Sequence, residues 1–332
     1  MTHQRLDSAI RTVDLTKRFG TKTAVNQLNL SIDRGEIFGL IGPNGAGKST
    51  TMRLLVDVLR PTSGEAFLLG KNPRTAGKEL RGNLGYLPGE FITTPSFTGT
   101  QILKHFMTLN PPKDSSRLEE LQQRLGADLS RPLGKLSKGN KQKIGLMQAF
   151  VHDPEILILD EPTSGLDPIV QQTFLELVQE AGARGQTVVL SSHILSEIQH
   201  AAQRVGVMKD GQLITTSSVQ QIRDDAGQQL HARVHLPTPW GEKNASVAEF
   251  GEELKRRLPC SSLSVSKEGE TVQVSGMVKD PVNELLAVFQ HVEVLGFSLE
   301  KPDLEEAVLH LYRDDSTSKA DGTRTLSEER ER

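Results

Sequence analysis

Three short stretches of uninterrupted apolar residues organise the chain, at 37–41, 156–159 and 188–190. Runs of this kind suit strands covered on both faces, at the centre of a parallel sheet. Ahead of the first, residues 10–15 and 23–32 read as antiparallel strands, with a turn at Asp33, Arg34 and Gly35 leading into the strand 37–41. Residues 48–59 carry Met52, Leu55, Val56 and Leu59 at helical spacing, and Pro61 stops that helix. Short strands are predicted at 64–70 and 84–88. From Glu90 to Leu136 the pattern turns helical and loop-rich, with helices over 98–109 and 116–125 on either side of Pro111 and Pro112. The parallel-strand pattern resumes only at Glu155, so this stretch is an insertion into an α/β frame. Asp167 and Pro168 form a favoured N-cap and first helical position for a helix over 169–180. A hairpin of 205–208 and 212–214 turns at Asp210 and Gly211.

Beyond a polar stretch at 223–229 the alternation changes character. A strand 230–236, a helix 247–258, strands 263–266 and 272–275 around Glu268 and Gly269, a helix 281–292, a strand 294–299 and a helix 304–312 follow one another. The order βαββαβα predicts a small ferredoxin-like α+β domain. The expected organisation is an α/β domain over 9–222 with an antiparallel β subdomain and a helical subdomain at about 90–152, then the α+β domain over 228–312. Residues 313–332 are charged and Ser/Thr-rich without periodicity, which predicts a disordered tail. Trp240, in a proline-rich loop, is read as a packing anchor.

Composition narrows the functional classes. A chain of 332 residues can bury a substantial core, and its length favours two domains. The net charge of −3 argues against a protein that coats nucleic acid. Cys260 is the single cysteine, so no intramolecular disulfide forms, and a reducing cytosol is compatible. No apolar run is long enough to span a bilayer and residues 1–8 lack the apolar core of a signal peptide, so any membrane connection is expected through a partner. His231 and His235 share a strand face, but with no further ligand nearby no metal site is expected there.

The chemistry gathers after the first apolar run. Gly42, Pro43, Asn44, Gly45, Ala46, Gly47, Lys48 and Ser49 fit G-x-x-x-x-G-K-[ST] between a strand and a helix, with Thr50 next in line. In such a loop backbone N–H groups close around phosphate oxygens, Lys48 brings positive charge to the β- and γ-phosphates, Ser49 can ligate Mg²⁺, and the helix N-terminus favours the same anion. Asp160 and Glu161 end the second apolar strand, where ligands bind in open α/β sheets. One can hold Mg²⁺, and the other can orient or deprotonate an attacking water. His193, just past the third strand, fits either a γ-phosphate contact or a structural role. Phe19, just before the turn at Gly20, fits either stacking on adenine or a place in the core.

The segment Leu136-Ser-Lys-Gly-Asn-Lys-Gln-Lys143 selects among phosphate-loop families. With it, residues 10–222 resemble an ABC transporter ATPase subunit: Gly42 to Ser49 as Walker A, Leu136 to Gln142 as the signature, Asp160 and Glu161 closing Walker B, Asp167 in the D-loop and His193 as the switch histidine. The later domain is similar to the C-terminal extension of bacterial drug-exporter-type ATPases. The resemblance implies ATP and Mg²⁺ as cofactors, with Mg²⁺ at Ser49 and Asp160. It implies a homodimer that sandwiches two ATP, each nucleotide completed in trans by Ser137, Lys138, Gly139 and Asn140 of the other subunit. It further implies a separate membrane permease, export, and a cytoplasmic location at the inner face of the cell membrane. Two departures stand out. Lys138 and Asn140 replace a glycine and a glutamine of the family's L-S-G-G-Q, and Gly89 stands where the family has its Q-loop glutamine, leaving Glu90 as the nearest carboxylate. The alternative class is an ABC ATPase acting on ribosomes or nucleic acid; one cassette without internal repeats argues against it, so no nucleic-acid partner is expected.

Overall fold

The computed structural model describes residues 8–91, 94–236, 245–257, 260–278, 282–290 and 292–312, the side chains of 245–246, 257, 260–262 and 282–284 excepted. Trp240, the tail 313–332 and the Cys260 side chain therefore lie outside the described residues. The chain divides into two compact units, Met1–Ser218 and Val219–Arg332.

In the first unit β1 (Ser8–Phe19) pairs antiparallel with β2 (Lys22–Leu28), β3 (Ser31–Asp33) and β5 (Ser63–Leu68). The single strand expected over 23–32 is two strands. Thr12 causes the break: its hydroxyl donates to the Leu28 carbonyl (2.8 Å) and accepts from the Leu30 N–H (2.9 Å), occupying backbone groups that a continuous ladder would use.

The central sheet is formed by β4 (Ile37–Ile41), β6 (Leu84–Leu87), β7 (Ile156–Asp160), β8 (Thr187–Ser191), β9 (Arg204–Lys209) and β10 (Gln212–Ser218), in the order β10-β9-β4-β8-β7-β6. All neighbours run parallel except the β9–β10 hairpin. Every residue of β4, β7 and β8 is buried, as the apolar runs predicted. Register aligns Asp160 with Ser191, and the carboxyl ends of all three strands open on one edge.

Helix α1 (Lys48–Leu55) is shorter than its apolar spacing suggested, because Asp57 enters the left-handed region (φ 56°) and Val58 and Leu59 both bond back to Arg53. Helix α2 (Pro73–Arg81) had no strong apolar signal, since only Leu80 is buried, yet Asn72 caps it through the Arg74 N–H (3.0 Å) and Pro73 opens it. The inserted region holds α3 (Gly99–Leu109), fixed by a Thr98/Gln101 capping box, and α4 (Arg117–Leu125). Helix α5 (Lys138–Phe150) is opened by Ser137, which caps it through the Asn140 N–H (3.2 Å). Asp167 caps α6 (Pro168–Ala183) through the Val170 N–H (3.1 Å), and α7 (Leu195–Ala201) follows β8.

The second unit begins with α8 (Val219–Ala226), which occupies most of the stretch expected to be a polar connector; Val219, Ile222 and Ala226 are buried. Then come β11 (Gln228–His235), α9 (Ala245–Arg257), β12 (Cys260–Glu268), β13 (Thr271–Val278), α10 (Val282–Phe289), β14 (Glu293–Glu300) and a helix over 304–312. The strands form an antiparallel sheet in the order β12-β13-β11-β14. Leu230, Ala232 and Val234 alternate onto one sheet face and share a core with Phe250, Leu254, Leu285 and Phe289.

Candidate active site

The loop between β4 and α1 owes its path to two glycines. A Cβ on Gly42 (φ 156°) would run into the Met208 carbonyl, and one on Gly47 (φ 104°) into the Ala24 carbonyl. Pro43 turns the loop by accepting the Ala46 N–H (3.1 Å), and Thr51 makes an early helical bond to Gly47 (2.8 Å). Lys48 lies back over the loop, donating to the Gly42 carbonyl (2.6 Å) and the Pro43 carbonyl (3.3 Å). Burial pulls its ammonium below the usual lysine value, while Glu161 and Asp160 act in the opposite sense.

Asp160 is fully buried at the end of β7. Its Oδ1 accepts the hydroxyls of Ser49 (3.0 Å) and Ser191 (2.8 Å), while its Oδ2 is buried without a partner. Glu161 adopts a left-handed backbone (φ 48°), unusual for a residue with a side chain, and donates its N–H to Ser191 Oγ (3.1 Å). Its Oε2 meets His193 Nδ1 and accepts the His193 N–H (3.3 Å). Gln142, buried on α5, donates to the carbonyls of Glu161 (3.1 Å) and Pro162 (2.9 Å) and so holds the turn that follows.

These groups surround a cleft of about 650 Å³ lined by Phe19, Asn44 to Thr50, Gly89, Glu161, Ser164 and His193, together with Lys22 and Ala24, which sequence reasoning missed. Phe19 is half exposed on the cleft wall, which removes the core alternative for it. Gly89 abuts Asp160: a Cβ there would lie 3.1 Å from Oδ2. Glu90 is exposed and does not line the cleft, so nothing in this geometry supports it as a stand-in for the missing glutamine. Burial first, and Asp160 second, raise the Tyr86 phenol above its usual value, against the bonded Arg53.

The segment 137–140 is not part of the cleft lining. Gly139 packs so closely on the Gly165 carbonyl that a Cβ would not fit, and Lys138 donates to Ser164 Oγ (2.8 Å) on the cleft wall. The Asn140 amide accepts the Asp128 N–H (2.9 Å) and donates to the Asp128 carbonyl (2.8 Å). Both ends of the Asn140 side-chain amide therefore serve its own subdomain. Asp167 is accounted for by its cap on α6, with its side chain in an exposed residue.

The donor set suits a hard cation held jointly by protein and phosphate. Ser49 Oγ and Asp160 Oδ1 lie side by side with an unmatched Oδ2 behind them, and no cluster of three or more His, Cys, Asp or Glu able to hold a metal occurs among the described residues. Mg²⁺ commonly takes few protein oxygens and completes its shell with phosphates and water.

A family model described as ABC transporter matches residues 25–164. The chain is 35% identical over 313 residues to the bacitracin transport ATP-binding protein BcrA of Bacillus licheniformis, covering 92% of this chain and 98% of that protein. With BcrA of Enterococcus faecalis it shares 36% over 224 residues, covering 65% of this chain and 71% of the relative. A solved ATP-binding subunit of an ABC transporter superposes with a TM-score of 0.59 and 26% identity, over 66% of this chain and 93% of the other.

Proposed function

Because this chain belongs to the ABC transporter ATP-binding proteins, we propose that it is the ATP-hydrolysing motor of an exporter, working as a homodimer that closes around two Mg-ATP and drives a separate permease. ATP binding and hydrolysis follow from the family. The observation that carries the hydrolytic reading of this site is the convergence of Lys48, Ser49, Glu161 and His193 on one cleft, with Asp160 bonded to Ser49.

Lys48 binds the β- and γ-phosphates, for which it exchanges its present carbonyl partners. The loop N–H groups and the start of α1 hold the same phosphates, and Phe19 offers its ring to the adenine. Ser49 and Asp160 would hold Mg²⁺, which supplies charge neutralisation across the phosphates. Glu161 accepts a proton from the attacking water as the γ-phosphoryl group leaves ADP, and His193 keeps the carboxylate oriented. In this reading Ser137 and Gly139, at the N-terminus of α5 and outside their own cleft, complete the partner's site through backbone N–H groups and the helix dipole. Hydrolysis then removes the group that holds the two subunits together.

The second unit is read as a ferredoxin-like accessory domain, supported by its strand order, in which the first and third strands are central and the second and fourth form the edges. No helix among the described residues is long and apolar enough to cross a membrane. In this reading the permease supplies the membrane contact, at the inner face. Export is supported by the relatives named for bacitracin transport. Tagged protein drawn from detergent-solubilised membranes should bring down a polytopic membrane protein; recovery of ribosomes or DNA in its place would overturn the proposal.

A further inference from the structure

Among buried charges near the cleft without a role so far, Glu197 is the most heavily engaged. It sits in the first turn of α7 and is 5% exposed. Its Oε2 accepts two hydroxyls, Thr163 Oγ1 at 2.9 Å and Ser192 Oγ at 2.8 Å, while Oε1 is buried without a partner. Both hydroxyl residues are 1% exposed. Thr163 lies two residues after Glu161, and Ser192 immediately precedes His193. The two loops that carry the cleft's acid and imidazole are thus tied to a single carboxylate oxygen.

Neighbouring bonds give this tie a direction. Ser192 Oγ also accepts the Ile194 N–H (2.9 Å), fixing the chain on the far side of His193. Ser191, the preceding residue, bonds Asp160 Oδ1 (2.8 Å) and the Glu161 N–H (3.1 Å). Consecutive serines therefore clasp the end of β7 from two sides, one directly and one through Glu197. Burial opposes the charged form of this carboxylate and the two hydroxyls favour it. A buried carboxylate with one oxygen unmatched is a poor device for stability alone, since an apolar side chain of similar volume fills such a space at lower cost.

We infer that Glu197 is a positioning residue for ATP hydrolysis, holding the Glu161 and His193 loops at their working separation by accepting the Thr163 and Ser192 hydroxyls on one buried oxygen. The inference rests on the reading of Glu161 and His193 as the hydrolytic pair. Removing the carboxylate loosens both loops without touching the phosphate-binding loop, so the loss falls on kcat and not on nucleotide capture.

Steady-state ATPase kinetics and thermal unfolding of the full chain test this with Glu197→Ala, Glu197→Gln, Thr163→Val, Ser192→Ala and the Thr163→Val/Ser192→Ala pair, with Glu161→Gln as reference. Glu197→Ala should lower kcat roughly 10- to 100-fold and leave KM for ATP within about twofold. Glu197→Gln keeps an acceptor oxygen in place and should recover most of the loss. The paired hydroxyl variant should cost less than the two single effects combined, because both act through one oxygen. Wild-type kcat in Glu197→Ala, a kcat that falls only with the folded fraction, or strictly additive hydroxyl effects would each overturn the inference. If Glu197→Ala does not fold, the hydroxyl variants decide alone: unchanged kcat in both sinks it. Normal turnover in Glu161→Gln would instead remove the underlying reading, a separate failure.

Discussion

His193 meets one oxygen of Glu161 twice, through its ring Nδ1 and through its own backbone N–H at 3.3 Å. The acid is therefore oriented by the neighbouring strand's loop and not by its own, and its left-handed backbone (φ 48°) turns the side chain toward that loop. A proton acceptor held from across the sheet keeps its aim only while both strand ends stay in register. That makes the acid separable from nucleotide binding.

Glu161→Gln preserves the shape of this contact and removes the basicity. ATP affinity should persist while turnover falls by about 100-fold or more, and an ATP-bound dimer should accumulate on size exclusion. Near-normal turnover would take Glu161 out of the mechanism.

Lys48 has a different signature. Its ammonium lies below the usual lysine value because burial outweighs Glu161 and Asp160, so the unfolded chain binds this proton more tightly than the folded one. Stability therefore rises with pH between the folded value and the ordinary one. Lys48→Met should abolish that slope in unfolding scans at alkaline pH and weaken ATP binding in calorimetry. Unchanged affinity would refute the phosphate-loop role.

Gly89 leaves room beside the unmatched Oδ2 of Asp160. In Gly89→Ala the new Cβ stands 3.1 Å from that oxygen, so one of the two must shift. The expected result is a higher Mg²⁺ requirement for ATPase activity, read by titrating the metal at fixed ATP, with little change in thermal stability. An unaltered Mg²⁺ curve would show that the gap has no part in metal binding.

Asn140 is expected to matter for stability and not for the nucleotide. Asn140→Ala removes both bonds to the Asp128 backbone and should cost about 1–3 kcal/mol, seen in denaturant unfolding. ATP-driven dimerisation, normalised to folded protein, should be unchanged; a selective loss of dimer would restore Asn140 as a contact across subunits.

The unit boundary gives a further prediction. A chain ended after Ser218 should unfold cooperatively and bind ATP, whereas one ended after Arg223 keeps most of α8 without the strands that follow it. Loss of cooperative unfolding in the shorter chain would mean that the second unit is needed to fold the first.

Much of this protein is written locally. The uninterrupted apolar runs determined the three buried strands, because a strand covered on both faces has no polar side to show, and the glycines around Lys48 determined a loop that no other residue type can follow. The cap at Asp167 and the βαββαβα alternation were legible for the same reason: each follows from short-range rules read along the chain. Tertiary structure decided the rest. Thr12 divided the strand expected at 23–32 by bonding residues 16 and 18 positions away, and Asn140 turned inward to a backbone 12 positions earlier. Phe19 became a cleft wall only once Gly42 to Ser49 were folded beside it. Glu197 carried no signal at all, since its partners lie 34 and 5 positions away and only the sheet's register brings them to one oxygen. Side chains that bond distant backbone or buried hydroxyls obey no local period, and so their roles appear only when the strands are paired.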